Sequence, residues 1–241
     1  MNGHREKPPV SSGCKMTTQL NTLYEKPAYG VIEAAIYLKV PVTTLRYWLT
    51  GFGKRDPIIE PVETEPARLS FLNLLECHAL AGMRKTYDLK LPRVRKALRK
   101  VSEQFPQPHP LVTQVFLTDR KDLFIEKLGR FINVSKSSDQ LNLEFFHIHL
   151  ERVATDPNGL FKFFPFVREP RASEPKLIEI NPAVGFGKPV IAGTGISTAI
   201  IASRFNAREP IVALADEYGC TQEQIEEAIR WEQPLAVPVA A

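Results

Sequence analysis

The stretch from Gly185 to Ser197, "GFGKPVIAGTGIS", gathers four glycines and a lysine ahead of an apolar, helix-like run. A glycine-rich loop opening into a helix can cradle a phosphate, because its backbone N–H groups and the helix dipole both favour an anion. The spacing argues against that use. The dinucleotide fingerprint G-x-G-x-x-G would need glycine where Val190 stands. The P-loop pattern G-x-x-x-x-G-K-[ST] would need glycine at Pro182 and a hydroxyl at Pro189, and proline has no N–H to offer. A turn is the simpler reading: Gly193-Thr194-Gly195 separates a strand from a helix that Ser197 or Thr194 caps. His147 and His149, beside Glu151, form the other constellation with metal-ligand chemistry. On a strand they would share a face; on a helix they diverge by about 200° and cannot meet one ion. The helical reading is preferred here, so both are expected to be structural. Cys14, Cys77 and Cys220 form no CxxC pair, and neither a Ser/His/Asp order nor a nucleophile elbow occurs. No metal, cofactor or catalytic group is expected.

The charged residues point elsewhere. Residues 27–105 carry 13 basic and 8 acidic side chains, whereas 174–241 carry 5 and 9. Such asymmetry suggests different partners for the two ends. In the basic part, Arg46, Lys54, Arg55, Arg68 and the run Arg93, Arg95, Lys96, Arg99, Lys100 can meet phosphates. Thr43 and Thr44 stand at the start of a predicted helix, where base edges are read, and Tyr47 packs or bonds a phosphate. In the acidic part, "TQEQIEEAIRWE" would be repelled by DNA, so it is expected to face protein or solvent.

The predicted elements place these groups. Residues 1–26 read as a flexible arm. Apolar spacing then predicts helices at Val31–Leu38 and Val42–Leu49, with Val40-Pro41 at the turn and Gly51 closing the second. "PIIEPVETEPARLSF" suits a short hairpin, and helices follow over about 70–86 and 91–105. "FPQPHP" reads as a boundary before a mixed α/β region over 111–170. That region would hold short strands at Val115–Thr118, Leu123–Leu128 and Arg130–Val134, a helix over roughly 139–154, and a strand in "LFKFFPF". "REPRASEP" reads as a linker to a unit over 174–233: two short strands, then helices near 197–206, 209–218 and 221–232, with a tail over 234–241. The chain is expected to be α+β, mainly helical. With no signal peptide or apolar run of about 20 residues, it is expected in the cytoplasm.

Two family resemblances attach to these residues. "EAAIYLKVPVTTLRYW" and "ARLSFLNLLECHALAGMRK" resemble the MerR-type winged helix-turn-helix over about 28–100, with Lys39 where that family usually has glycine. "GKPVIAGTGI" and "ALADEYGCTQEQIEEAIRW" resemble domain-of-unknown-function family four hundred and thirty-three over about 176–232. The second helix pair of that unit is itself helix-turn-helix-like. The combination resembles VapB-type antitoxins. It implies a PIN-like ribonuclease toxin as partner, operator DNA as ligand, and a homodimer matching a palindromic operator. The resemblance also implies an arginine that blocks the toxin's acidic metal site: Arg230 first, Arg208 next, with Glu226 and Trp231 in the same contact. The second reading is a MerR-like regulator whose Phe145, Phe146, Phe161, Phe163, Phe164 and Phe166 line a small-molecule pocket. The third is a nucleotide-binding enzyme dependent on Lys188.

Overall fold

A computed structural model describes residues 23–51, 56–87, 91–104, 108–112, 146–155 and 161–233. The three short strands expected between 115 and 134, most of the arm and the tail lie outside them. The end of the arm belongs to the body: Tyr24 is buried against Phe71 and Phe161, and its hydroxyl accepts the Phe161 N–H at 3.0 Å.

The basic part opens with β1 (Tyr29–Gly30), α1 (Val31–Leu38) and α2 (Val42–Thr50). Ala34, Ala35 and Leu38 of α1 and Leu45, Trp48 and Leu49 of α2 are buried, as their spacing predicts; Val31, of the same stripe on α1, is half-buried, and Tyr37 is buried off that stripe. The turn between them is left-handed at Lys39 (φ 53°), whose N–H returns to Ile36, while the Val40 N–H returns to Ala35. Two such bonds close a helix in the manner glycine usually allows. Gly51 ends α2 at φ 70°. β2 (Glu63–Thr64) and β3 (Ala67–Leu69) form the expected hairpin, and β1 joins β3 to complete an antiparallel sheet in the order β1-β3-β2.

α3 (Phe71–Tyr87) is the axis of the molecule. Residues 71–83 are all buried, so this helix is covered all round rather than along one stripe. α4 (Leu91–Gln104) follows, with Val94, Ala97, Leu98 and Val101 inward and Lys96, Arg99 and Lys100 exposed.

The helix expected over 139–154 is shorter at its C-terminal end. Residues 146–150 are helical, but Val153–Thr155 form β4, paired antiparallel with β5 (Phe161–Phe163). Arg152 explains the change of direction. Its buried guanidinium donates to the carbonyls of Phe164 (2.6 Å), Glu174 (2.8 Å), Pro165 (2.9 Å) and Pro175 (3.1 Å). Burial lowers its pKa to about 10, with Glu174 opposing the shift. "REPRASEP" is therefore fastened to the body. Buried Glu174 also accepts the N–H groups of Val167 (3.0 Å) and Arg168 (2.8 Å).

β6 (Ile178–Glu179) and β7 (Val190–Ile191) pair antiparallel, and a bridge between Phe163 and Ile180 links them to β5. Then come α5 (Thr198–Asn206), α6 (Ile211–Tyr218) and α7 (Gln222–Glu232). Gly219 ends α6 in the left-handed region, and Thr221 with Gln224 forms a full capping box on α7. Ser197 occupies the N-cap position of α5 without a side-chain cap bond; Thr194 instead holds the glycine turn, donating to Ile191 and accepting from Ile196. One hydrophobic core runs from Tyr24 through α3 to Trp231.

Candidate nucleic-acid and partner interfaces

The outer face of α2 is set by what its inner face buries. With Leu45, Trp48 and Leu49 inward, Thr43 and Arg46 are exposed and Thr44 and Tyr47 half-buried on the other side. The Arg95 guanidinium of α4 lies 5.5 Å from the centre of the Tyr47 ring, so the basic helix is brought beside α2. Arg95 also donates to the Asp56 carbonyl, and the N–H groups of Ile58 and Ile59 return to the Trp48 carbonyl (2.7 and 3.2 Å). These contacts fix the segment after α2; Lys54 and Arg55 themselves lie outside the described residues. The hairpin is anchored by Asn73 at the start of α3. Its Oδ1 accepts the Val62 and Ser70 N–H groups (both 3.2 Å), and its Nδ2 donates to Glu60 (2.9 Å). Arg68 stands on β3, exposed and 3.8 Å from Glu63 across the hairpin. Thr43, Arg46 and Tyr47 thus share the outward face of α2, Thr44 lies at its edge on the side of Trp48, and Arg68 projects from the adjoining hairpin.

The other predicted set divides. Glu226, Arg230 and Gln233 join Phe205, Ile211 and Ile229 in lining a shallow groove between α5, α6 and α7. Arg230 is not free in it: it donates to Glu227, a fully buried carboxylate that Arg168 also holds at 3.1 Å. Arg208 is exposed just past α5, in the left-handed region at φ 72°. Trp231 faces the other way. It is buried with its ring 5.7 Å from that of Tyr37 on α1, under the Lys39 ammonium at 5.3 Å. Burial lowers the Lys39 pKa, against the pull of Glu174. Trp231 therefore docks α7 on α1 and does not line the groove. Sequence reading also passed over Arg204, which clamps α5 to α6 by bonding Glu209, Glu217 and the Tyr218 hydroxyl.

The groups with enzyme-like chemistry are used internally. In the Gly185–Gly187 turn, the Gly187 N–H bonds Val184 and the Lys188 N–H bonds Gly185. The Lys188 ammonium reaches Glu33 on α1 at 2.5 Å. The histidines do lie on a helix. His149 is buried against Gly82 and His78, whereas His147 is half-buried. His78 Nε2 lies 2.7 Å from the His149 carbonyl, so that nitrogen carries the proton. Burial, then the neighbouring His149, lowers the His78 pKa to about 3. Among the described residues no group of three or more His, Cys, Asp or Glu could hold a metal ion, and no helix is long and apolar enough to cross a membrane. Phe146, Phe161, Phe163 and Phe166 are packed in the core; Phe164 is half-buried, with the Lys176 ammonium 5.9 Å from its ring, and Phe145 lies outside the described residues.

Comparison with known proteins adds three findings. Over 235 residues the chain is 26% identical to a Mycobacterium tuberculosis protein named "Putative antitoxin VapB45", covering 88% of this chain and 96% of that one. The crystal structure of Rv2018 from Mycobacterium tuberculosis is similar with a TM-score of 0.64 and 27% identity, covering 85% of this chain and 98% of that one. Residues 178–231 match the family described as "Protein of unknown function (DUF433)". The strand pair β6–β7, its glycine turn and helices α5 to α7 are thus a DUF433 domain at the C-terminal end of the chain.

Proposed function

We propose that this chain is the antitoxin of a type II toxin–antitoxin pair: it binds and blocks a PIN-like ribonuclease toxin and, as a homodimer, represses its own operon by binding operator DNA. The single observation that carries the reading is similarity over nearly the whole length of a chain named as an antitoxin, rather than over the DUF433 domain alone. The N-terminal part is read as a MerR-like winged helix-turn-helix in which α2 enters the major groove and the β2–β3 hairpin is the wing. Thr43, Thr44, Arg46, Tyr47 and Arg68 carry its contacts, joined by Lys54 and Arg55. The toxin contact falls to the groove of Glu226 and Arg230 and to the nearby end of α5 at Arg208, with Trp231 holding α7 in place from behind. Arg230 gains a second role in this reading. Its charge is already half-matched by Glu227, so a toxin carboxylate must compete for the guanidinium rather than find it bare.

Co-expression with the product of the adjacent gene tests this. The expected result is a stable complex and relief of that protein's toxicity. A well-folded chain that neither captures the neighbour nor relieves its toxicity would sink the antitoxin reading.

A further inference from the structure

Phe186 is the most exposed large apolar side chain among the described residues, at 96%. Its backbone is also the least suited to it. It sits at φ 55°, ψ 31°, between Gly185 (φ 56°) and Gly187 (φ 74°), in the left-handed region where a bulky side chain is an outlier. The turn is nevertheless built firmly. Asn181 is buried and its Oδ1 accepts the Ala183 N–H; Val184, Gly187 and Lys188 close successive backbone bonds; Gly187 lies so close to the Tyr29 hydroxyl that a Cβ there would meet it at 2.5 Å. A rigid tip thus holds an aromatic ring in solvent at a cost to the fold.

The tip has apolar neighbours. Ile32 and Ile36, one turn apart on α1, are 62% and 51% exposed. Glu33, between them in sequence, takes the ammonium of Lys188, two residues past Phe186. The turn and the outward edge of α1 therefore border one another, and the charged pair at their seam is already neutralised.

We infer that this face is where a second copy of the chain docks, with Phe186 of each copy inserted against Ile32 and Ile36 of the other. The inference rests on the homodimer in the reading above. Charge selects the occupant. DNA needs a positive surface, and an acidic nuclease site is met by a free cation. A two-fold interface places a patch against itself, which favours one with no net charge.

Sedimentation equilibrium of the full chain tests this with Phe186→Gly and with Ile32→Lys/Ile36→Lys. The wild type is expected to be dimeric, and each variant to weaken the dimer at least about tenfold, as losing a central aromatic anchor does. Phe186→Gly should do so without lowering the Tm measured at dilutions where both proteins are monomeric, because glycine suits φ 55°; a folding defect would lower that Tm as well. A monomeric wild type, or two variants that dimerise like it, overturns the inference. Capture of the neighbouring gene product is measured on the same samples. Monomeric variants that still capture it support the inference. Dimeric variants that have lost capture overturn it and assign the face to the toxin. A wild type that dimerises through this face but captures nothing ends the antitoxin reading alone.

Discussion

Gly82→Ala separates two opposed effects in the middle of α3. Alanine in place of glycine inside a helix stabilises by up to about 1 kcal/mol. At position 82, however, the new Cβ would lie 2.8 Å from both Cβ and Cγ of His149 and 3.1 Å from its Cδ2. The atoms met are the root of a side chain, not its free end. His149 cannot retreat cheaply, because its carbonyl bonds His78 and its ring packs edge-on against Phe166 at 5.1 Å. Overpacking of this kind costs about 1–3 kcal/mol, and a disturbed buried hydrogen bond adds about 1. The clash should win by about 2 kcal/mol, which for a chain of this size lowers Tm by roughly 4–8 °C. Thermal and urea unfolding followed by circular dichroism would measure it. Gly193→Ala is the comparison: its φ is 76° but nothing lies within 4 Å of the added carbon, so only the backbone term of about 1 kcal/mol is expected. A Gly82→Ala protein as stable as the wild type, or more so, would refute the close packing of residues 146–150 on α3.

The site reading makes its own predictions. Thr44→Ala and Arg46→Ala should weaken operator binding in gel-shift or anisotropy assays, Arg46→Ala also flattening the salt dependence, while toxin capture persists; joint loss would contradict the division of labour. Asn73→Ala strands three buried or half-buried backbone groups and should cost about 3 kcal/mol in urea unfolding, loosening the hairpin; a loss under about 1 kcal/mol would mean water replaces the side chain. His78 is held neutral, with its pKa at about 3 against an unfolded value of about 6.5. Its contribution is complete above pH 6.5 and is lost as pH falls, by roughly 2 kcal/mol at pH 5. For His109 burial is outweighed by Glu76, 2.9 Å away, so its pKa is raised; that contribution is present below about pH 6.5 and is lost as pH rises through the folded value. Urea unfolding from pH 5 to 8 should show both limbs, and His78→Phe should remove the acidic one.

The helices were legible where local chemistry decides them. Val31–Leu38 and α2 up to Gly51 follow from spacing and end residues alone. Lys39 in the left-handed region was not a local signal; glycine is the residue that usually announces it. What the chain hid were its buried charges. Arg152, Glu174 and Glu227 are of types that usually face water, and what buries them is distant: Arg152 bonds carbonyls 12 to 23 residues on, and Arg168, which shares Glu227 with its near neighbour Arg230, is 59 residues away. Two partners of Arg152 are proline carbonyls, which belong to residues that cannot donate to a ladder themselves. β4 was missed for the same reason, since its partner lies at Phe161–Phe163 and not within its own window. Of the candidate sites, the outward face of α2 was readable from the three- and four-residue spacing of Leu45, Trp48 and Leu49. The inward turn of Trp231 was not, because Tyr37 and Lys39 come from the far end of the sequence.

Arg152 has a practical consequence. Its guanidinium grips Phe164 and Pro165 on one side and Glu174 and Pro175 on the other, so one side chain ties both ends of the intervening stretch. Glu169, Arg171, Ala172 and Ser173 between those ends are exposed. A peptide tag or a fluorescent label spliced in after Glu169 should extend into solvent and spare the turn in which the Arg171 carbonyl accepts the Glu174 N–H at 3.1 Å, which makes this an internal position for a reporter that leaves both termini untouched.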